Sequence, residues 1–394
     1  MIRSLRSADP TLDLRLIVGA DGPLLEEASA AGAVCEVLEL PAGVRSFGAF
    51  GTARTSSRGL AARTAFARRV ACAGAASIRY LVRLRRILGH LRPDIVHSNG
   101  IKFHVLSGMG CVSPFPTIWH IHDLLSQRPM IGRILRTIRN SRVSAIAISR
   151  AVTEDCLDML PGMDVATVYN AIDTERFSPH GGPLADLDAL AARSSNQPLA
   201  CRVGLVATYA RWKGQDVFLQ AAARTLTMHP GIGIHFYIVG GPIYETEGSQ
   251  FSAEELRDLS QRLGLKDRVS FISFQSDTAP IYRALDVVVH ASTRPEPFGL
   301  TIVESMACGR ATVISDAGGA AELFCKGDDA MAIRPGNVDD LSDAIVTLAM
   351  NPQVRERLGR NARMAAVRHF HLERLGVETL AVYQALLQNR SRTP

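Results

Sequence analysis

The chain has 394 residues, 47% of them hydrophobic and 21% charged, with a formal net charge of +6. That length exceeds one ordinary core and suits two globular domains; arginines interrupt every apolar run before it reaches the ~18–20 residues of a spanning helix. Residues 1–10 lack the apolar core of a signal peptide, and seven scattered cysteines without C-x-x-C or Cys/His spacing imply reduced thiols and a cytoplasmic compartment.

In chain order, the first half alternates strand-like and helix-like stretches. Strands are expected at 14–19, 34–40, 94–97, 117–122, 143–149 and 165–169, with a helix from about Pro23 and a long basic helix over about 60–91. Short apolar runs alternating with helices predict a doubly wound α/β sheet. Ligands of such sheets bind at the carboxyl ends of the strands, where His97, Ser98, Asn99, Lys102, His120, His122, Asp123, Ser149 and Asn170 fall.

Charge is unevenly spread over this half. Between Pro41 and Pro93 there is no Asp or Glu, yet arginines run from Arg45 to Arg92, and a second group spans Arg128 to Arg142. A solvated face and an anionic partner both fit. Nucleic acid fits less well, for want of a reader motif or interleaved aromatics. An acidic membrane surface fits better, because Ile78, Tyr80, Leu81, Val82, Leu84, Ile87 and Leu88 lie among the arginines.

Residues 170–177 read as the exit from this domain and 181–200 as a linker. The linker holds Asp186 and Asp188, a D-x-D with no strand before it, so no metal is assigned to it. The alternation then restarts: strands at 202–207, 234–241, 269–274, 286–291, 311–315 and 331–333, helices at 214–228, 253–263 and about 278–284, and further helices from Val338. The expected division is 1–180, a linker 181–200, a second Rossmann-like domain 201–370, and a C-terminal helix 371–394 packing back towards the first domain.

The stretch from Arg294 to Arg310, R-P-E-P-F-G-L-T-I-V-E-S-M-A-C-G-R, carries the most chemistry. It reads as strand, tight loop and helix start, with Leu300, Val303, Met306 and Ala307 on one helical face. Glu296 lies in the loop and Glu304 inside the helix, while Phe298, Gly299 and Leu300 place amides at a helix N-terminus, which attracts phosphate. Carboxylates beside an anion site suit a ligand with both hydroxyls and phosphates, a sugar nucleotide. Lys213, between a strand and a helix, can reach an anion held at such a junction.

The E-x7-E spacing around P-F-G-L, followed by A-C-G-R-A-T-V-I-S and G-G-A-A-E, resembles the donor-site signature of retaining family-4 (group 1) glycosyltransferases with the GT-B fold. The resemblance implies two Rossmann-like domains facing across a cleft, a nucleotide diphosphate sugar as donor, retention of configuration, and no cofactor or essential metal. It implies that Glu296 contacts the transferred sugar, Glu304 the ribose, and the Phe298–Leu300 amides the phosphates. Gly240, Gly241, Phe274 and Gln275 would line the base pocket, and Glu322 would be a third hydroxyl acceptor or a surface residue. Lys213 and Gly214 match the family's lysine motif, but its arginine position falls on Thr208, and Arg211 is the candidate replacement. His122, in W-H-I-H-D, would donate to a sugar hydroxyl. His120 shares its strand face, so spacing leaves both open.

Members of that family open with a strand and a G-G-x-E loop, whereas M-I-R-S-L-R-S-A-D-P looks like the helix that follows them, so the first strand and loop are expected to be absent. The expected activity is sugar transfer to a lipid-linked or surface-glycan acceptor, at the cytoplasmic face of the inner membrane. The alternatives are an impaired sugar-nucleotide-binding protein and another GT-B enzyme such as an epimerase.

Overall fold

The computed structural model describes residues 1–41, 60–193, 201–242, 248–265 and 267–391. Arg45, Arg54 and Arg58 of the basic stretch lie outside them. The chain divides into two compact units, one of Met1–Tyr169 with Glu373–Pro394, the other of Asn170–Leu372.

In the first unit the order is α1 (Ile2–Ala8), β1 (Arg15–Val18), α2 (Pro23–Ala30), β2 (Val34–Val37), α3 (Leu60–Leu91), β3 (Val96–Asn99), α4 (Ile101–Gly108), β4 (Thr117–Ile121), α5 (Pro129–Ile138), β5 (Val143–Ala147), α6 (Arg150–Met159) and β6 (Val165–Thr167). Among the described residues β1 and β2 form one parallel ladder, and β3-β4-β5-β6 a second. Every residue of β4 and β5 is buried, as expected for parallel strands covered on both faces. Tyr80, Leu84 and Leu88, four apart on α3, make a helical stripe that packs with Leu38, Leu40, Leu106 and Val112. The C-terminal helix, Leu372–Ser391, belongs to this unit: a Cβ at Gly376 would lie 2.0 Å from the Ser4 carbonyl oxygen, and Arg374 donates to the Tyr169 carbonyl.

The second unit contains α7 (Leu187–Leu190), β7 (Cys201–Val206), α8 (Gln215–Met228), β8 (Ile234–Val239), α9 (Ala253–Arg262), β9 (Val269–Ile272), α10 (Ala279–Ala284), β10 (Val287–His290), α11 (Leu300–Ala307), β11 (Ala311–Ser315), β12 (Met331–Ile333), α12 (Val338–Met350) and α13 (Pro352–His369). Its parallel sheet has the order β12-β11-β10-β7-β8-β9. On one face Val203, Leu205, Phe236, Ile238, Val287, Val289 and Val313 pack with Phe218, Leu219, Leu341 and Ile345 of the helices. Strand order reverses at β7, which lies between β8 and β10. The loops leaving β7 and β10 therefore flank the crevice where open α/β sheets bind ligands.

The expected boundary at 180 and the linker 181–200 are corrected by this structure. The break falls after Tyr169, because arginines of the second unit hold the following segment: Arg363 donates to the carbonyls of Thr174 and Phe177, and the buried Arg283 to those of Arg176 and Pro183. Asp186 caps α7 through the Ala189 amide, and Asp188 accepts from Tyr237 and Arg193. Residues 194–200 lie outside the described residues.

Candidate active site

Two loops meet at the switch point, and one glycine permits it. Gly214 has φ +76°, and a Cβ there would stand 2.0 Å from the Ala291 carbonyl oxygen, so only glycine lets the β7–α8 loop lie against the end of β10. The Thr293 amide donates to the Trp212 carbonyl at 2.8 Å, tying the loops together. Lys213 Nζ then reaches Glu296 Oε1 at 2.6 Å and lies 4.1 Å from the Trp212 ring centroid. Gly318 holds the other side of Glu296: the Gly319 amide donates to the Glu296 carbonyl at 2.7 Å, and a Cβ on Gly318 (φ +65°) would come within 2.6 Å of that oxygen.

Glu296 is 6% exposed, and its second oxygen is also engaged. Ser292 Oγ donates to Oε2 at 2.7 Å, and His290 Nε2 lies 3.1 Å from the same oxygen. His290 and Ser292 are two apart at the end of β10, hence on one face. Burial by itself would raise the Glu296 carboxyl, but the bond from His290 and the Lys213 charge carry it well below the usual carboxylate range. Oε2 is thus held by two buried groups and Oε1 by one ammonium. His290 carried no signal in the sequence beyond being a polar residue ending an apolar strand.

Glu304, on α11, accepts from the buried Tyr282 hydroxyl of α10 at 2.9 Å. Burial raises its carboxyl, and the Tyr282 bond offsets part of that rise. Gly299 caps α11 and Leu300 opens it with its side chain exposed, while Phe298 is buried edge-on against Phe370. Gly240 and Gly241 follow β8, and Phe274 and Gln275 follow β9. Those two strand ends are adjacent, since a Cβ on Gly241 would lie 3.8 Å from the Phe274 Cβ. The Phe274 ring is 59% exposed, available for stacking on a planar group. Glu322 ends a short 3-10 turn, Gly319–Glu322.

Arg211 is not brought to Glu296. Its guanidinium bonds Glu255 Oε1 at 2.7 Å and the Gly248 carbonyl, and lies over the Phe251 ring. Glu255 also closes the capping box of α9 with Ser252, which gives Arg211 a structural task.

His122 belongs to the first unit, where β4 ends. Its ring and that of His120 have centroids 4.3 Å apart, and neither Nε2 has a partner among the described residues. Burial lowers both imidazoles, that of His120 farther, while Asp123 pulls His122 partly back up.

Two family profiles match the chain. The profile of "Glycosyl transferases group 1" covers residues 201–365, and that of "Glycosyltransferase Family 4" covers 45–176. A D-inositol 3-phosphate glycosyltransferase of Saccharomonospora viridis is 31% identical over 62% of this chain and 54% of its own length. The lipopolysaccharide core biosynthesis mannosyltransferase LpcC of Rhizobium leguminosarum bv. viciae is 32% identical over 57% and 61%. The chain thus spans just over half to about three fifths of these two relatives. In fold it is similar to Anabaena Alr3699/HepE, crystallised with UDP and glucose, with a TM-score of 0.73 and 22% identity over 97% of this chain and 94% of that one. A sucrose-phosphate synthase of Thermosynechococcus elongatus gives 0.69 and 19% identity over 97% of each chain. With both halves matched and the sheet order in place, the chain belongs to the group 1, family 4 glycosyltransferases of GT-B fold.

Proposed function

We propose that this protein transfers a sugar from a nucleotide diphosphate sugar to an acceptor hydroxyl with retention of configuration. The observation that carries the reading is the Glu296 carboxylate, anchored on Oε2 by His290 and Ser292 and capped on Oε1 by Lys213. A sugar hydroxyl that donates to Oε1 displaces the ammonium, which is then released to the departing diphosphate. Negative charge builds on that diphosphate as the glycosidic bond breaks, so a cation there stabilises the transition state more than the ground state. Lys213 takes the charge-neutralising part that a divalent ion has in metal-dependent transferases. Glu304 accepts from ribose hydroxyls, and the exposed Phe274 ring with Gly241 supports the base. The UDP complexes of the structurally similar Anabaena protein are consistent with this donor class.

The acceptor reading rests on α3. Ile78 and Val82 are 63% and 43% exposed and share that face with exposed Arg79, Arg83 and Arg86. An apolar pair bordered by arginines suits an anionic leaflet, and the acceptor is then lipid-linked or a growing surface glycan, reached from the cytoplasmic side. Among the described residues no helix is long and apolar enough to cross a membrane. The test is a donor panel of UDP- and GDP-sugars with lipid-linked acceptors, following nucleoside diphosphate release and the anomeric configuration of the product. Release without a glycosylated acceptor, or an inverted product, overturns the reading.

A further inference from the structure

Lys213, in the second unit, is held by two groups of different kind. Its ammonium lies 2.6 Å from Glu296 Oε1 and 4.1 Å from the centroid of the Trp212 ring, well inside the ~6 Å over which an aromatic face attracts a cation. The residue that supplies the face is the lysine's own neighbour in sequence. Arg211–Lys213 form one 3-10 turn, in which successive side chains diverge by about 120°, so the lysine stem has to fold back for Nζ to reach the indole. The turn is pinned to the site. The Lys213 amide donates to the Ala210 carbonyl, and the Trp212 carbonyl accepts from both the amide and the hydroxyl of Thr293. With the Lys213 side chain 17% exposed, water screens the contact only in part.

A ligand acts differently on the two holders. Glu296 Oε1 is a strong acceptor, and a sugar hydroxyl that donates to it competes with the ammonium. The indole face is a weak acceptor, so a hydroxyl leaves it to the lysine. Among the described residues Glu296 and this ring are the groups that hold the cation. Once Oε1 is taken, the ring is what keeps a flexible four-carbon stem from carrying its charge out to water.

We propose that Trp212 is a positioning residue whose ring keeps the Lys213 ammonium in the crevice when a sugar hydroxyl displaces it from Glu296, so that the charge is at hand for the departing diphosphate. The proposal rests on the donor reading given above, but the contact between ring and ammonium does not. A cation already in place when the bond breaks stabilises the developing charge without a search by its stem. The effect belongs to turnover more than to donor affinity, since that charge builds in the transition state.

The experiment uses ring fluorination, which withdraws electron density from the indole face and changes its shape little. The chain has two tryptophans, Trp119 and Trp212, so full-length protein made with fluorinated tryptophan is altered at two places, and a Trp212→Phe background isolates the contribution of Trp119. In fluorine NMR of protein labelled with 5-fluorotryptophan, the Trp212 resonance is the one lost in Trp212→Phe; it should move in Lys213→Met while that of Trp119 stays. With the nucleotide sugar that the wild type turns over, kcat should fall stepwise as one, two and then four fluorines are placed on the ring, with KM within about twofold, and should be indifferent to fluorination in Trp212→Phe. Trp212→Leu should lose roughly tenfold in kcat and Trp212→Phe roughly threefold, the scale of one cation–π contact and of its weaker phenyl version. A Trp212 resonance unmoved by Lys213→Met overturns the contact. A kcat indifferent to fluorination in the wild type, or equal losses in Trp212→Leu and Trp212→Phe, overturns the role and leaves the ring as packing. A wild type that turns over no sugar nucleotide, its Trp212 resonance still answering to Lys213→Met, supports the contact and overturns the transferase reading instead.

Discussion

Lys213 and Glu296 are 83 positions apart, yet ammonium and carboxylate meet at 2.6 Å with side-chain exposures of 17% and 8%. A near-buried ion pair is costly to leave half-made, because the remaining partner keeps its desolvation cost without its counter-charge. The two ends are not equivalent here. Without Lys213, Glu296 still has His290 and Ser292; without the Glu296 charge, Lys213 has no carboxylate among the described residues.

Lys213→Ala should therefore fold, with a lowered Tm, while turnover falls by roughly 100-fold or more, the scale of one transition-state donor. Glu296→Gln should cost at least ~10-fold in transfer, since charge-assisted bonds contribute about 1.5–3 kcal/mol, and it should also lower Tm. The pH sign is definite. A carboxyl depressed by folding stabilises the protein above its unfolded value of ~4.3, and that contribution is lost as pH falls through the folded value. The Tm gap between wild type and Glu296→Gln should be flat above about pH 5 and shrink in stronger acid; a gap independent of pH down to 2 would refute the assignment.

Glu304 behaves in the opposite sense. Burial raises its carboxyl despite the Tyr282 bond, so the ionised form costs stability at neutral pH. Glu304→Gln should raise Tm at pH 7, with the gain fading below ~4.3 where the unfolded carboxyl is also protonated, while nucleoside diphosphate affinity drops. Tyr282→Phe should push the carboxyl higher still and weaken the same affinity. Calorimetry against pH, paired with nucleotide titration, checks both; a less stable Glu304→Gln at pH 7 would contradict the argument.

The first unit should be acid-labile for a reason confined to its histidines. His97 and His104 are held at about 3, and His120 well below its ordinary value, all chiefly by burial. In the unfolded chain they charge below ~6.5. Depressed groups of this kind stabilise above the unfolded value, and the benefit is lost as pH falls towards the folded value. Each removes about 1.4 kcal/mol per pH unit across that window. Denaturant titrations at successive pH values should show a slope between pH 6 and 4 that His97→Gln and His104→Gln each reduce. An unchanged slope in both variants would remove the histidines from the acid transition.

Binding of α3 to anionic vesicles should fall steeply with salt, because exposed charges are screened beyond ~8–10 Å at physiological ionic strength. Co-sedimentation of wild type and an Arg79/Arg83/Arg86→Gln variant, with and without acidic lipid, provides the measurement. Equal partition in all four samples means that these exposed arginines form a solvated face and the acceptor is soluble.

The alternation of apolar runs with 3.6-period segments identifies the α/β class and nearly every second-half element, and the residues around Glu296 and Glu304 carry the GT-B resemblance, because these patterns are written within a few residues of one another. The helix expected over about 60–91 is Leu60–Leu91, and the strand expected at 311–315 is Ala311–Ser315. The helices Ile101–Gly108, Pro129–Ile138 and Arg150–Met159 were not singled out. Their patterns are short, and α4 is nearly as apolar on one side as the other, so periodicity offers little contrast.

What the sequence by itself determined is the strands and most of the long helices, the Glu296–Glu304 spacing and a lysine at a strand–helix junction. Only the tertiary structure decided that Lys213 lies on Glu296, that His290 and Ser292 anchor the same carboxylate, that Tyr282 holds Glu304, that Arg211 turns to Glu255, and that residues 170–193 pack with the second unit. The physical reason is strand order. Pairing β10 with β7 brings loops 83 positions apart to one crevice, and the choice among parallel orders depends on how whole helices cover the sheet, which no local hydrophobic period encodes.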